Sequence, residues 1–178
     1  MILEMVNSRN GEQAEYKTTL EVLDLGDTFK FVFYCEHTGF YCPFKNYNDP
    51  IYKGDICELH IGTDPKREEY FEISVNQENA MFISKHKYCG LDENGHPILQ
   101  VNLQPKFAES TIDIDGNNYT ATLLVKKADI MNGDGEIYFN AYRIECDGDT
   151  QGKHGMAVFC PYGKFNTPSK FQFIKDYV

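Results

Sequence analysis

The chain has 178 residues, 42% of them hydrophobic, which suffices for one domain with a core of its own. A formal charge of −10 argues against nucleic acid and anionic membrane surfaces, whose phosphates it would repel, and is compatible with a neutral ligand such as a sugar. No stretch approaches the roughly 20 consecutive apolar residues of a membrane span.

From the N-terminus, "MILEMVNSRNGEQAEYK" has no basic start followed by a sustained apolar run, so it does not read as a signal peptide. The expected location is cytoplasmic, or secreted if an export signal lies upstream. "YKTTLEVL" is the first strand candidate. "FKFVFYC" follows with strict alternation, Phe29, Phe31, Phe33 and Cys35 on one side and Lys30, Val32 and Tyr34 on the other. "ICELHI" sets Cys57, Leu59 and Ile61 against Ile56, Glu58 and His60. "YFEISV" sets Phe71, Ile73 and Val75 against Tyr70, Glu72 and Ser74. Further candidates are "AMFIS", "ILQVNL", "YTATLLV", "EIYFNAYRI", "MAVFC" and "FQFI", and "LLVKKADIM" allows one helical turn. Between them stand the turn signals "TDPKRE", "LDENGHP", "DIDGNN", "MNGDGE" and "CDGDTQGKHG".

About ten short strands at this spacing predict an all-β fold, an antiparallel β-sandwich in a single domain over residues 1–178. The six cysteines form no C-x-x-C pair. Cys35, Cys57, Cys146 and Cys160 read as buried strand thiols, and a disulfide stays open.

If "ICELHI" pairs with "YFEISV" through the "GTDPKRE" connection, Glu58, His60, Tyr70 and Glu72 share one face and the oily residues share the other. A solvated outer face would have the same pattern. Twelve Tyr and 13 Phe are more rings than a core of this size needs, so some line a groove or the surface. Rings stack on sugar C–H groups while carboxylates and amides take the hydroxyls.

The segment "DPIYKGDICELHIGTDPKREEYFEISVNQEN" resembles the family 9 carbohydrate-binding modules, with an aromatic, a hydrophobic-Glu strand and a "Y-x-E-x-x-V-N" strand in order. "EIYFNAYRIECDGD" resembles the family's N-x-x-R strand, and "MAVFCPYGKFNTPSKFQFI" its closing segment, so the resemblance covers roughly residues 29–175. It implies an immunoglobulin/DOMON-like sandwich and a non-catalytic, saccharide-binding role. The ligand-binding set it implies is Tyr52 for the first stacking ring, Glu58 six residues later for its acid, Phe165 for the second ring, and Asn166, Asn140 and Arg143 as polar partners. The chain has no Trp, and Tyr52 and Phe165 stand where the family carries that ring.

Other readings compete at each position. Tyr52 can pack under a loop, and Glu58 can be a solvated strand residue or a salt-bridge partner. Arg143 alternates with Phe139 and Ala141 rather than with Tyr138, Asn140 and Tyr142, which favours a carboxylate partner at the core's edge. His60 and His86 read as ordinary strand or loop histidines. "MNGDGEI" imitates the middle of a calcium loop but lacks its anchoring carboxylates, and Asn-Gly with Asp-Gly suits a hairpin. The resemblance still allows structural calcium on Asp134, Asp147 and Asp149, and no other cofactor is expected. An alternative, a glycoside hydrolase, would use Glu58 and Glu72 as its carboxyl pair. Another is a structural or protein-interaction domain, since exposed rings can equally mark a dimer patch. A haem-carrying sandwich would need a Met, from Met81, Met131 or Met156, and a His, from His86 or His154.

Overall fold

The computed structural model describes residues 1–37, 39–131, 135–146, 154–159 and 168–178, with the side chain of His154 outside that description. The strands run β1 (Ile2–Glu4), β2 (Val6–Asn7), β3 (Thr18–Asp24), β4 (Thr28–Glu36), β5 (Ile56–Gly62), β6 (Glu69–Val75), β7 (Met81–Leu91) and β8 (Pro97–Leu103). They continue as β9 (Ala108–Asp115), β10 (Asn118–Lys126), β11 (Tyr138–Glu145), β12 (His154–Ala157) and β13 (Gln172–Phe173), with one helical turn, α1 (Lys127–Ile130). No helix among the described residues is long and apolar enough to cross a membrane.

Among the described residues all strand pairings are antiparallel and build two sheets, as the alternation predicts. One is five-stranded in the order β1-β3-β4-β10-β9; the other is eight-stranded in the order β2-β12-β11-β5-β6-β7-β8, with β13 added beside β11. The strands missed by periodicity are the short β1 and β2, and β9, whose sequence "AESTIDID" buries only Ala108 because β9 is a sheet edge. The β7 strand runs seven residues past Ser84 to Leu91, because Lys85, His86 and Lys87 keep pairing with β6 and β8.

The core lies between the sheets. Leu20, Val22, Phe29, Phe31 and Phe33 face Leu59, Ile61, Ile73, Ile83 and Phe139, all buried, with the rings of Phe31 and Phe139 at 5.9 Å. Each such side chain contributes roughly 1.5–3 kcal/mol of burial.

Arg143 enters this layer from β11. It is wholly buried and donates to Thr18 Oγ1 at 2.6 Å, to the Glu36 carbonyl and to the Glu145 carboxylate. Its guanidinium lies 5.2 Å from the Tyr119 ring centre. Burial works against its charge, while Tyr119, Cys35, Cys57 and Glu145 hold its pKa above the ordinary value. It ties β11 to β3 and β4 from inside the sandwich, on the opposite face of β11 from Asn140 and Tyr142, so its position is that of a structural cation.

Cys35 and Cys57 meet across the core with sulfurs 3.7 Å apart, and both are free thiols. Cys42 and Cys89 are also free, and Cys160 lies outside the described residues.

Candidate functional site

The second sheet's outer face carries the polar alternation. Register places Glu58 opposite Ser74 and Tyr142, His60 opposite Glu72 and Asn140, and His86 opposite Tyr70. These residues therefore converge from β5, β6, β7 and β11 on one patch. It is not a solvated face. Glu58 is 4% exposed, Glu72 6% and His86 5%, while His60, Ser74, Ser84, Asn140 and Tyr142 are fully buried. Every residue of β5 is buried, since the core covers one side and this polar layer the other.

The two ends of the face are closed differently. At one end Phe171 follows the 3-10 turn Pro168–Lys170 and sets its ring 5.2 Å from Tyr70 and 5.9 Å from His60. At the other end Ile51, Ile56, Ala80 and Phe82 form a small apolar cluster with Phe44 and Ile144.

Tyr52 stands at this second end, on the 3-10 turn Ile51–Lys53. Its ring is 41% exposed and propped edge-on against Phe82 at 5.4 Å.

The residues after Tyr52 explain why the ring sits there. Gly54 lies so close to the Tyr41 carbonyl that a Cβ would strike it. Asp55 is fully buried and accepts from the backbone N–H of Tyr41 at 2.6 Å and of Cys146 at 2.5 Å, while its own N–H returns to the Tyr41 carbonyl at 3.0 Å. Burial raises the Asp55 pKa, and those donors pull against it. Asn76, last in "YFEISVN", donates to the Phe44 carbonyl at 2.8 Å and accepts from Ala80 N at 2.9 Å. The motif residues thus pin the loop that carries Tyr52 to the sheet.

In the middle of the face, His60 Nε2 lies 2.8 Å from Glu58 Oε1 and 3.8 Å from Glu72 Oε2. The closer approach misses the direction a ring N–H needs, so it is a contact and not a hydrogen bond; neither His60 nitrogen has a hydrogen-bond partner. Glu72 Oε2 is 3.0 Å from His86 Nε2, which is 2.7 Å from Ser84 Oγ. Ser74 Oγ donates to Glu58 Oε2 at 3.2 Å and lies 3.5 Å from Glu72 Oε1.

Burial pushes Glu58 up to about 7, opposed by the Ser74 hydrogen bond and by His86. Burial lowers His60 to about 3, with Glu72 pulling upward and His86 downward. His60 is therefore a neutral imidazole at neutral pH. Burial also raises the Tyr70 phenol.

Asn140 is held within the protein, donating to Tyr142 Oη at 3.0 Å and accepting from the N–H of Ala141 at 2.8 Å and of Phe159 at 3.2 Å. Phe165, Asn166, Asp134, Asp147 and Asp149 lie outside the described residues. Of the expected ligand set, the structure brings Tyr52, Glu58 and Asn140 to one face and places Arg143 on the other. Glu58 and Glu72 do come together around Ser74 Oγ, both nearly closed to solvent. Met81 points into the core and His86 into the polar layer, on opposite faces of β7, so this pair cannot hold one haem iron. Ser74 stands on the polar side of β6 as the alternation predicts, while His86 and Ser84 were missed as members of the cluster. Their signal is the same alternation, carried one strand further into β7.

These features define a class of protein, an antiparallel β-sandwich with a polar, aromatic-edged face on its larger sheet. No family model matches the sequence, and no curated protein matches it. Among solved structures the chain shares the β-sandwich fold of the family 9 carbohydrate-binding modules. One from Caldicellulosiruptor kristjanssonii in complex with glucose aligns at TM-score 0.62 and 11% identity, over 96% of this chain and 82% of that one. The same organism's module in complex with cellotriose aligns at 0.64 and 10% identity, over 96% and 79%. A "putative carbohydrate-binding protein" from Bacteroides uniformis aligns at 0.74 and 9% identity, over 96% and 84%.

Proposed function

We propose that this chain is a non-catalytic carbohydrate-binding domain that stacks a neutral saccharide on Tyr52. The observation that carries the reading is the half-exposed Tyr52 ring, braced by Phe82 at the edge of the polar face, on a fold shared with modules solved with glucose and cellotriose. A braced ring presents flat apolar surface to sugar C–H groups at little entropic cost. The net negative charge favours a neutral sugar over an anionic one.

Glu58 acts behind the ring. It is buried, with one oxygen accepting from Ser74 and the other against His60, so it shapes the floor of the site. The same enclosure speaks for a binding role and against hydrolysis, because a glycosidase needs both carboxyls open to the scissile bond.

The test is titration calorimetry with glucose, cellotriose and a panel of other neutral mono- and oligosaccharides. Binding by the unmutated protein is expected, with Tyr52→Ala weakening it by about tenfold, equivalent to ~1.4 kcal/mol, at unchanged circular dichroism. Glu58→Gln is expected to weaken it less. A panel without any binding sugar rejects the reading and leaves a protein-interaction role for the exposed ring.

A further inference from the structure

The polar layer holds a side-chain set that saccharide stacking does not require. We propose that Glu58, His60 and Glu72, with His86 beside them, form a closed binding site for a divalent transition metal of the zinc class. The inference is independent of the saccharide reading.

The first support is the donor geometry. One ligand atom each from Glu58, His60 and Glu72 lie within 4.8 Å of one another. The separations are 2.8 Å for Glu58 Oε1 to His60 Nε2 and 3.8 Å for His60 Nε2 to Glu72 Oε2, while His86 Nε2, 3.0 Å from Glu72 Oε2, is taken up by Ser84 Oγ at 2.7 Å. Donors bound to one tetrahedral zinc at about 2.0–2.2 Å sit roughly 3.3–3.6 Å apart, so small side-chain adjustments bring this set onto an ion.

The second support is His60 itself. It is fully buried, and its Nε2, aimed among two carboxylates, has no hydrogen-bond partner. A buried imidazole nitrogen without a hydrogen bond is costly in the absence of something to bind.

The third support is charge. Two carboxylates share a dry space, and among the described residues their ion-pair partners are histidines, with no Lys or Arg. A divalent cation balances both. Mixed imidazole and carboxylate donors favour zinc or a similar ion over calcium, which takes oxygen. The three donors are on the paired strands β5 and β6 and closed to solvent, the pattern of a structural site rather than a catalytic one. Such an ion would cross-link β5 and β6 under the rim that carries Tyr52.

The experiment uses the full chain, stripped with chelator, reloaded with zinc or cobalt(II), and desalted. Expected are about one retained metal per chain by elemental analysis, a rise of several degrees in Tm, and a cobalt spectrum without thiolate charge-transfer bands. His60→Gln and Glu72→Gln should each weaken zinc binding about 100-fold or more, while Cys89→Ser, which removes the exposed thiol, leaves it unchanged. Should those two variants fail to fold, the unmutated cobalt form decides: His60 and His86 ring protons must show hyperfine-shifted NMR resonances. No retained metal, thiolate bands, metal binding unaffected in folded His60→Gln and Glu72→Gln, or unshifted histidine resonances each overturn the site.

Discussion

The Glu58 and His60 pair shows how burial sets the chemistry of single residues. Both lose water, and each is driven toward its neutral form: the acid from 4.5 up to about 7, the imidazole from 6.5 down to about 3. Their effects on stability have opposite signs. Glu58 binds a proton more tightly folded than unfolded, so its contribution is full below about 4.5 and is lost as pH rises to about 7. His60 stays neutral when folded, so its contribution is present above about 6.5 and is lost as pH falls to about 3. Between about 4.5 and 6.5 the two slopes cancel, and acid destabilisation by this pair starts only below about 4.5. In Glu58→Gln the opposing slope is gone. Urea unfolding in the presence of chelator should then show stability falling from about pH 6.5 downward, by ~1.4 kcal/mol per unit, relative to the unmutated protein. Parallel pH profiles for the two proteins would mean that Glu58 titrates like an exposed acid.

At the scale of elements, the turn that presents Tyr52 depends on space. Gly54 has an ordinary extended backbone, so its requirement is close approach to Tyr41 and not conformational freedom. Gly54→Ala should push the Ile51–Lys53 turn off the Tyr41 segment and strain the Asp55 contacts. Saccharide affinity is expected to fall about as far as in Tyr52→Ala, with a stability loss of about 1–3 kcal/mol, measured by calorimetry and urea unfolding on the same sample. Unchanged affinity in the folded variant would show that the turn's position does not govern binding. The same elements display what alternation can and cannot reveal. "ICELHI" and "YFEISV" announce their faces because one side is oily and the other polar. The edge strand β9 has no buried face to write into its sequence, and "AESTIDID" reads as loop.

For the whole molecule, stability comes from the layer between the sheets, and the polar face is laid on a platform that this core makes rigid. Phe31 is fully buried and meets Phe29 and Phe139, so Phe31→Ala should cost about 3–5 kcal/mol by removing a ring from a layer that cannot collapse around the gap. Saccharide affinity per folded molecule should be unchanged, since Phe31 lies on the far side of β5 from Tyr52. A denaturation midpoint close to that of the unmutated protein would place the ring outside the cooperative core.

Alternation with period two, turn residues at regular intervals and the surplus of rings carried the sandwich, its antiparallel pairing and the polar side of β5 and β6 in the sequence alone. Those features are local, and local spacing decides which way successive side chains point. The identity of Tyr52 as an exposed ring on a pinned turn was written only in part, because what pins it, the Tyr41 backbone and Cys146, is distant along the chain. The inward place of Arg143 was legible from its neighbours Phe139 and Ala141. What folding alone decided is the dryness of the polar face. Charged alternation on a strand has the same spelling whether water or other side chains cover it. Only the meeting of four strands, with Phe171 at one end and the Phe82 cluster at the other, turned Glu58, His60, Glu72 and His86 from surface residues into one enclosed group.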